Sequence, residues 1–106
     1  MAMSNQTSPV GMLVKFTARP GRGGDLAKVL ADTADQVATE PDTLMWQVDR
    51  QADQPDVVFL DERYSSADAL DAHNTTDLNQ TTRAATGALM AGPPEVFPLL
   101  PAGGIR

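Results

Sequence analysis

The chain has 106 residues, 42% of them hydrophobic, and 14 acidic against 8 basic side chains leave a net charge of −6. A single domain of this size buries roughly two-thirds of its unfolded surface, and without a basic cluster it is a poor partner for nucleic acid or anionic membranes. Cysteine is absent, which excludes disulfides, thiolate metal sites and cysteine nucleophiles.

Residues 1–9 are polar and read as an N-terminal tail. They lack the basic and apolar stretches of a leader, and no segment approaches the roughly 20 apolar residues of a membrane span. A cytoplasmic protein is expected. From Val10 to Arg19, Met12, Val14, Phe16 and Ala18 alternate with Leu13, Lys15, Thr17 and Arg19, the period of a strand. Pro20–Gly24 is a turn, and Asp25 suits the positive end of a helix. Leu26, Val29, Leu30, Thr33, Ala34 and Val37 recur at helical spacing, predicting an amphipathic helix of about four turns that Pro41 stops.

Thr43–Gln51 reads as a second strand, with Leu44, Trp46 and Val48 on one side and Met45 and Gln47 on the other. Ala52–Asp56 reads as a loop, and Val57–Tyr64 as a third strand closing a hairpin with the second. Ser65 with Asp68 forms a capping-box pattern for a short helix running to His73. Asn74–Thr76 interrupts it. A second helical stretch carries Leu78, Ala85 and Leu89 on one stripe, and Ala91–Pro94 ends it. Glu95–Leu100 is a short fourth strand, and residues 101–106 form a C-terminal tail.

The order β-α-β-β-α-β is that of an α+β, ferredoxin-like split βαβ domain over residues 10–100: one antiparallel sheet with helices on one face. Both faces of the strands carry apolar residues. Val57 and Phe59 point one way; Val58, Leu60 and Tyr64 point the other. Helices cover one face, so the other needs a lid, most simply the same sheet of a second copy, which predicts a homodimer.

Chemistry-bearing residues gather between Val57 and Asn74, where Glu62, Tyr64 and His73 lie at the end of a strand and on the following helix. Glu62 and Tyr64 are two apart and share a strand face. His73, the one histidine, titrates closest to neutrality of all side-chain types. It is a candidate proton acceptor, or a dipole-favoured helix C-terminal residue. Tyr64 either donates to a ligand oxygen or packs as a core aromatic. A buried carboxylate is costly alone, so Glu62 is either functional or paired, with Arg19 and Arg83 as the candidate cations. Trp46 is the largest apolar surface available for core packing or for stacking on a planar ligand. One histidine without cysteine makes no nitrogen or sulfur metal site, so no metal is expected. The glycines of Pro20–Gly24 lack the lysine and hydroxyl residue of a phosphate loop.

Three segments together, Ala18–Leu26, Ala38–Val48 and Phe59–His73, resemble the antibiotic biosynthesis monooxygenase-like family of small dimeric α+β barrels. Glu62, Tyr64, Ser65, Ala69, Leu70 and His73 fall on that family's pattern of an acidic and an aromatic residue, then serine, then a helix with alanine, leucine and histidine. The chain departs from the pattern at Glu40-Pro41-Asp42, where glycine usually ends the turn, and at Trp46, where tyrosine is usual. The resemblance implies a dimeric barrel over roughly residues 10 to 100. Its members include cofactor-independent oxygenases that convert anthrones, polyphenols or hydroquinones to quinones with molecular oxygen. Others degrade haem or process small metabolites. The haem-degrading branch has an asparagine in the first strand, and none occurs between Val10 and Arg19.

These readings lead to a cofactor-free monooxygenase acting on an electron-rich aromatic. Tyr64 and His73 are the expected catalytic residues, with Trp46, Phe16, Phe59, Met45 and Glu62 around the substrate. The rival is a dimeric binding module, or an isomerase or metabolite-degrading enzyme of the same fold. A pocket lined only by apolar groups, with Tyr64 and His73 fully engaged by protein partners, would favour the rival, whereas a large open cavity with their polar atoms pointing inward would favour the enzyme.

Overall fold

The computed structural model describes residues 8–104, so most of the expected N-terminal tail and the last two residues lie outside the described residues. Seven elements follow in chain order: β1 (Val10–Thr17), α1 (Gly23–Val37), β2 (Thr43–Gln51), β3 (Gln54–Tyr64), α2 (Ala67–Asn74), α3 (Asp77–Gly87) and β4 (Glu95–Leu99). The strands form one antiparallel sheet in the order β2-β3-β1-β4, the ferredoxin-like arrangement that the sequence implies. No described helix is long and apolar enough to cross a membrane.

Register assigns the two faces. Val14 sits opposite Leu60 and Phe16 opposite Val58, and Leu60 in turn faces Val48 of β2. These alternate residues meet Leu26 and Leu30 of α1 to form the core, each buried side chain contributing roughly 1.5–3 kcal/mol. The opposite face carries Leu13, Lys15, Phe59, Asp61, Arg63 and Phe97, and no described helix covers it.

Four local readings change. The β2–β3 turn is only Ala52–Asp53, because Gln54–Asp56 extends β3 and the Pro55 carbonyl accepts a bond from Arg50 Nε at 2.8 Å. Leu44 does not join Trp46 and Val48 in the core. A register shift between Thr43 and Met45 leaves it outside the ladder and 55% exposed. The cap of α2 is Ser66, whose Oγ accepts from Ala69 N, rather than Ser65, whose Oγ instead donates to Asp42 Oδ1 at 2.9 Å. On α3 the buried residues are Thr82 and Thr86 while Ala85 is exposed. Their hydroxyls have partners, Thr33 Oγ1 for Thr82 and the Arg83 carbonyl for Thr86, so the methyl groups can face inward.

Asp56 also ties the sheet to the start of α1. Its two carboxylate oxygens accept from Gly21 N and Gly23 N, each at 2.9 Å, and these bonds hold its carboxyl below its ordinary value. Gly21 has a φ of 79°, where a side chain would be strained. At Gly23 a Cβ would overlap the Pro55 carbonyl oxygen and come within 2.6 Å of Asp56 Cα. Gly23→Ala is therefore expected to lose about 1–3 kcal/mol in urea unfolding. An unchanged midpoint would show that α1 can shift away from β3 at little cost.

Candidate active site

Between the helix-covered face of the sheet and helices α1 and α3 lies a cavity of about 420 Å³. Met12, Val14, Phe16, Trp46 and Leu60 form its apolar floor; Thr82, Arg83 and Thr86 of α3 roof it, and Asn74 and Asn79 stand at one end. The volume lies within the roughly 300–1,000 Å³ of small-molecule sites. Trp46 is fixed by its indole N–H, which donates to the Leu30 carbonyl of α1 at 2.9 Å.

One carboxylate enters this apolar space. Strand alternation carries Val58, Leu60, Glu62 and Tyr64 to the same face, and Glu62 lines the cavity while only 8% exposed. Its Oε1 accepts the Tyr64 hydroxyl at 2.5 Å. No described residue donates to Oε2. Burial pushes the Glu62 carboxyl above its ordinary value; the Tyr64 bond and the charges of His73 and Arg83 pull the other way, and Asp61 adds to the rise. A carboxylate with a raised pKa in an apolar pocket is suited to taking a proton.

Tyr64 is completely buried and does not line the cavity. Burial first, then the charge and hydrogen bond of Glu62, drive its phenol far up, so it stays a donor to Glu62. His73 is 3% exposed and also stands behind the cavity wall. Its ring meets Trp46 edge-on at 5.7 Å and Tyr64 at 5.3 Å between centroids. Nδ1 lies 2.8 Å from Glu40 Oε1; Nε2 lies 3.9 Å from Glu62 Oε1 and is buried without a hydrogen-bond partner among the described residues.

The sequence-derived site thus divides. Trp46, Phe16 and Glu62 meet in the cavity, with Tyr64 and His73 immediately behind Glu62. Phe59 and Met45 lie on the other sheet face, because odd positions of β3 point away from Glu62 and Met45 pairs beside Arg63. The expected ion pair to Glu62 is not formed by Arg19, whose Nε bonds the Met90 carbonyl. Arg83 lines the cavity and acts on Glu62 through space, without a bridge. Glu40 was missed: it sits 33 positions from His73 in the loop after α1, where no periodicity marks it.

The sequence profile of the antibiotic biosynthesis monooxygenase family matches residues 9–85, which includes Glu62, Tyr64 and His73 and most of the cavity wall. The chain belongs to that family. A Caulobacter crescentus protein provisionally named an antibiotic biosynthesis monooxygenase is similar over 95% of this chain and 96% of its own, at 30% identity and a TM-score of 0.84. A Mycobacterium tuberculosis protein is similar over 93% of this chain and all of its own, at 28% identity and a TM-score of 0.83. A Chloroflexus aurantiacus protein, also provisionally named for this family, has 25% identity over 93% of this chain and 98% of its own, with a TM-score of 0.80. No functionally curated protein matches the sequence. Within the antibiotic biosynthesis monooxygenase family the fold is common ground, so function rests on what lines this cavity.

Proposed function

We propose that the chain is a cofactor-independent monooxygenase that oxidises an electron-rich aromatic, of anthrone or quinol type, with molecular oxygen. The observation that carries this reading is the single carboxylate, Glu62, set in an apolar cavity beside Trp46. Glu62 takes a proton from the ligand, leaving the electron pair on the ring system. That anion passes one electron to O2, and the two radicals join in a C–O bond, giving a peroxide. Returned to the peroxide, the proton sets up loss of water: a CH2 group and O2 become C=O and H2O. Arg83 at the rim offers a cation to the anionic stage, and the dry walls strengthen that attraction. Tyr64 and His73, expected as catalytic residues in their own right, become supports of Glu62.

The same reading makes the protein a cytoplasmic homodimer with a small aromatic partner. A second copy would cover Leu13, Phe59 and Phe97 on the open sheet face, with Lys15, Asp61 and Arg63 among them. Phe97 is 44% exposed on edge strand β4. Sedimentation is expected to give twice the 11.3 kDa chain mass, and Phe97→Asp to shift it toward one. A parent protein sedimenting as a monomer would remove the dimer.

A second reading, a dimeric binding module, draws on the placement of Tyr64 and His73, whose polar atoms face protein rather than cavity. Oxygen uptake with a panel of anthrones and naphthohydroquinones, measured against autoxidation, separates the two. Protein-dependent uptake that scales with concentration supports the oxygenase; a flat trace with measurable ligand binding supports the module.

A further inference from the structure

The buried His73 holds one nitrogen firmly and leaves the other without a hydrogen bond among the described residues. Glu40 Oε1 takes Nδ1 at 2.8 Å and also accepts from Thr43 Oγ1 at 3.0 Å, which fixes the carboxylate in place. A carboxylate on Nδ1 selects the Nδ1–H tautomer, so Nε2 carries the lone pair. That lone pair is buried without a partner, 3.9 Å from Glu62 Oε1. An unpaired buried nitrogen is a standing cost, and Nε2 is a base within reach to which a protonated Glu62 can donate. At the other end Glu40 is 24% exposed, in the loop between α1 and β2, and so reaches solvent.

We infer that Glu62, His73 and Glu40 form a proton relay from the cavity to solvent, which holds the ligand's proton away from the cavity while the ligand anion reacts. The inference rests on Glu62 being the base of the proposed oxygenase. The ligand's C–H or O–H bond breaks and its proton joins Glu62. When the 3.9 Å gap closes to hydrogen-bond length, about 2.9 Å, the Glu62 O–H bond breaks as Nε2–H forms. The imidazolium then gives its Nδ1 proton to Glu40, which exchanges with water. Reverse transfer protonates the peroxide and restores the Nδ1–H tautomer, so the relay resets each turnover. His73 and Glu40 do not touch the ligand; they act through Glu62. Tyr64 donates to Glu62 throughout, Arg83 faces Glu62 from α3, and Asp61 lies on the other sheet face.

Two measurements test the relay. The first is anaerobic exchange of the anthrone CH2 hydrogens in D2O, followed by proton NMR against a protein-free control. The parent protein should accelerate exchange, and Glu40→Gln should slow it about tenfold or more because the same proton returns to the ligand. Glu62→Gln should remove the acceleration. Loss in Glu62→Gln with full exchange in Glu40→Gln would overturn the relay and leave the base. A parent rate equal to the control, or full exchange in Glu62→Gln, would overturn the base. The second is the nitrogen NMR of the single imidazole without ligand. Nδ1–H is expected; Nε2–H dominant in the parent protein would overturn the relay whatever the ligand.

Discussion

Glu62→Gln is expected to lower turnover of an active anthrone by about 10²- to 10⁴-fold, and yet to make the fold more stable as pH rises. Glutamine keeps the shape and accepts the Tyr64 hydroxyl through its carbonyl oxygen, but takes no proton. The stability sign follows from the raised carboxyl. The folded chain holds the Glu62 proton more tightly than the unfolded chain, chiefly because burial disfavours the charge. The neutral form's contribution is therefore complete below the ordinary glutamate value and is lost as pH climbs through the raised one. Glutamine stays neutral, so the variant should match the parent near pH 4 and exceed it near pH 8 in urea unfolding. A variant less stable than the parent at pH 8 would mean that Tyr64, His73 and Arg83 more than offset burial. Glu62 would then be an ionised structural carboxylate, and the base assignment would lose its physical ground.

Such a trade between activity and stability would be the pattern of a functional group that the fold tolerates rather than uses. A leucine in place of Glu62 would continue the apolar face of Val58 and Leu60. The sheet instead holds a carboxylate among Met12, Leu60 and Trp46, then surrounds it with Tyr64 and His73. Those two need not meet the ligand to matter. Tyr64 fixes the orientation of Oε1, and in the proposed relay the His73–Glu40 pair gives the proton somewhere to go.

Strand and helix order is legible in the sequence because alternation in β1 and β3 and the stripe of α1 are apolar and regular. The pairing of Glu62 with Tyr64 is legible for the same reason: two residues apart in a strand means one face. What escapes is set by long-range contacts. The bulge that expels Leu44 is a register effect of β3 on β2, and Thr82 and Thr86 look polar until Thr33 and the Arg83 carbonyl take up their hydroxyls. Phe59 and Met45 are attractive as pocket walls by type, whereas parity places them on the open face. Glu40 reads in the sequence only as the start of the Glu40-Pro41-Asp42 turn and acquires a role only when the fold brings it to His73.

Leu26→Ala is expected to destabilise the protein by about 2–5 kcal/mol, and Leu30→Ala to fall at the lower end of that range. Both side chains are buried on α1, at 0% and 1% exposure. They differ in what lies beyond them. Leu26 packs into the core without reaching the cavity, so its truncation leaves a sealed void whose lining loses contacts outright. Leu30 already lines the cavity, so truncation widens an existing space that solvent or ligand can occupy. The Leu30 carbonyl that holds the Trp46 indole belongs to the backbone and survives the change. Leu30→Ala should accordingly accept anthrones with an added alkyl group that the parent oxidises poorly, while Leu26→Ala leaves that preference as it was. Urea unfolding of both variants, with oxygen uptake on the substituted and unsubstituted compounds, measures the two halves of the argument. Equal losses of stability and no change of preference would mean that the space beside Leu30 is closed in solution, and the ligand would have to sit elsewhere.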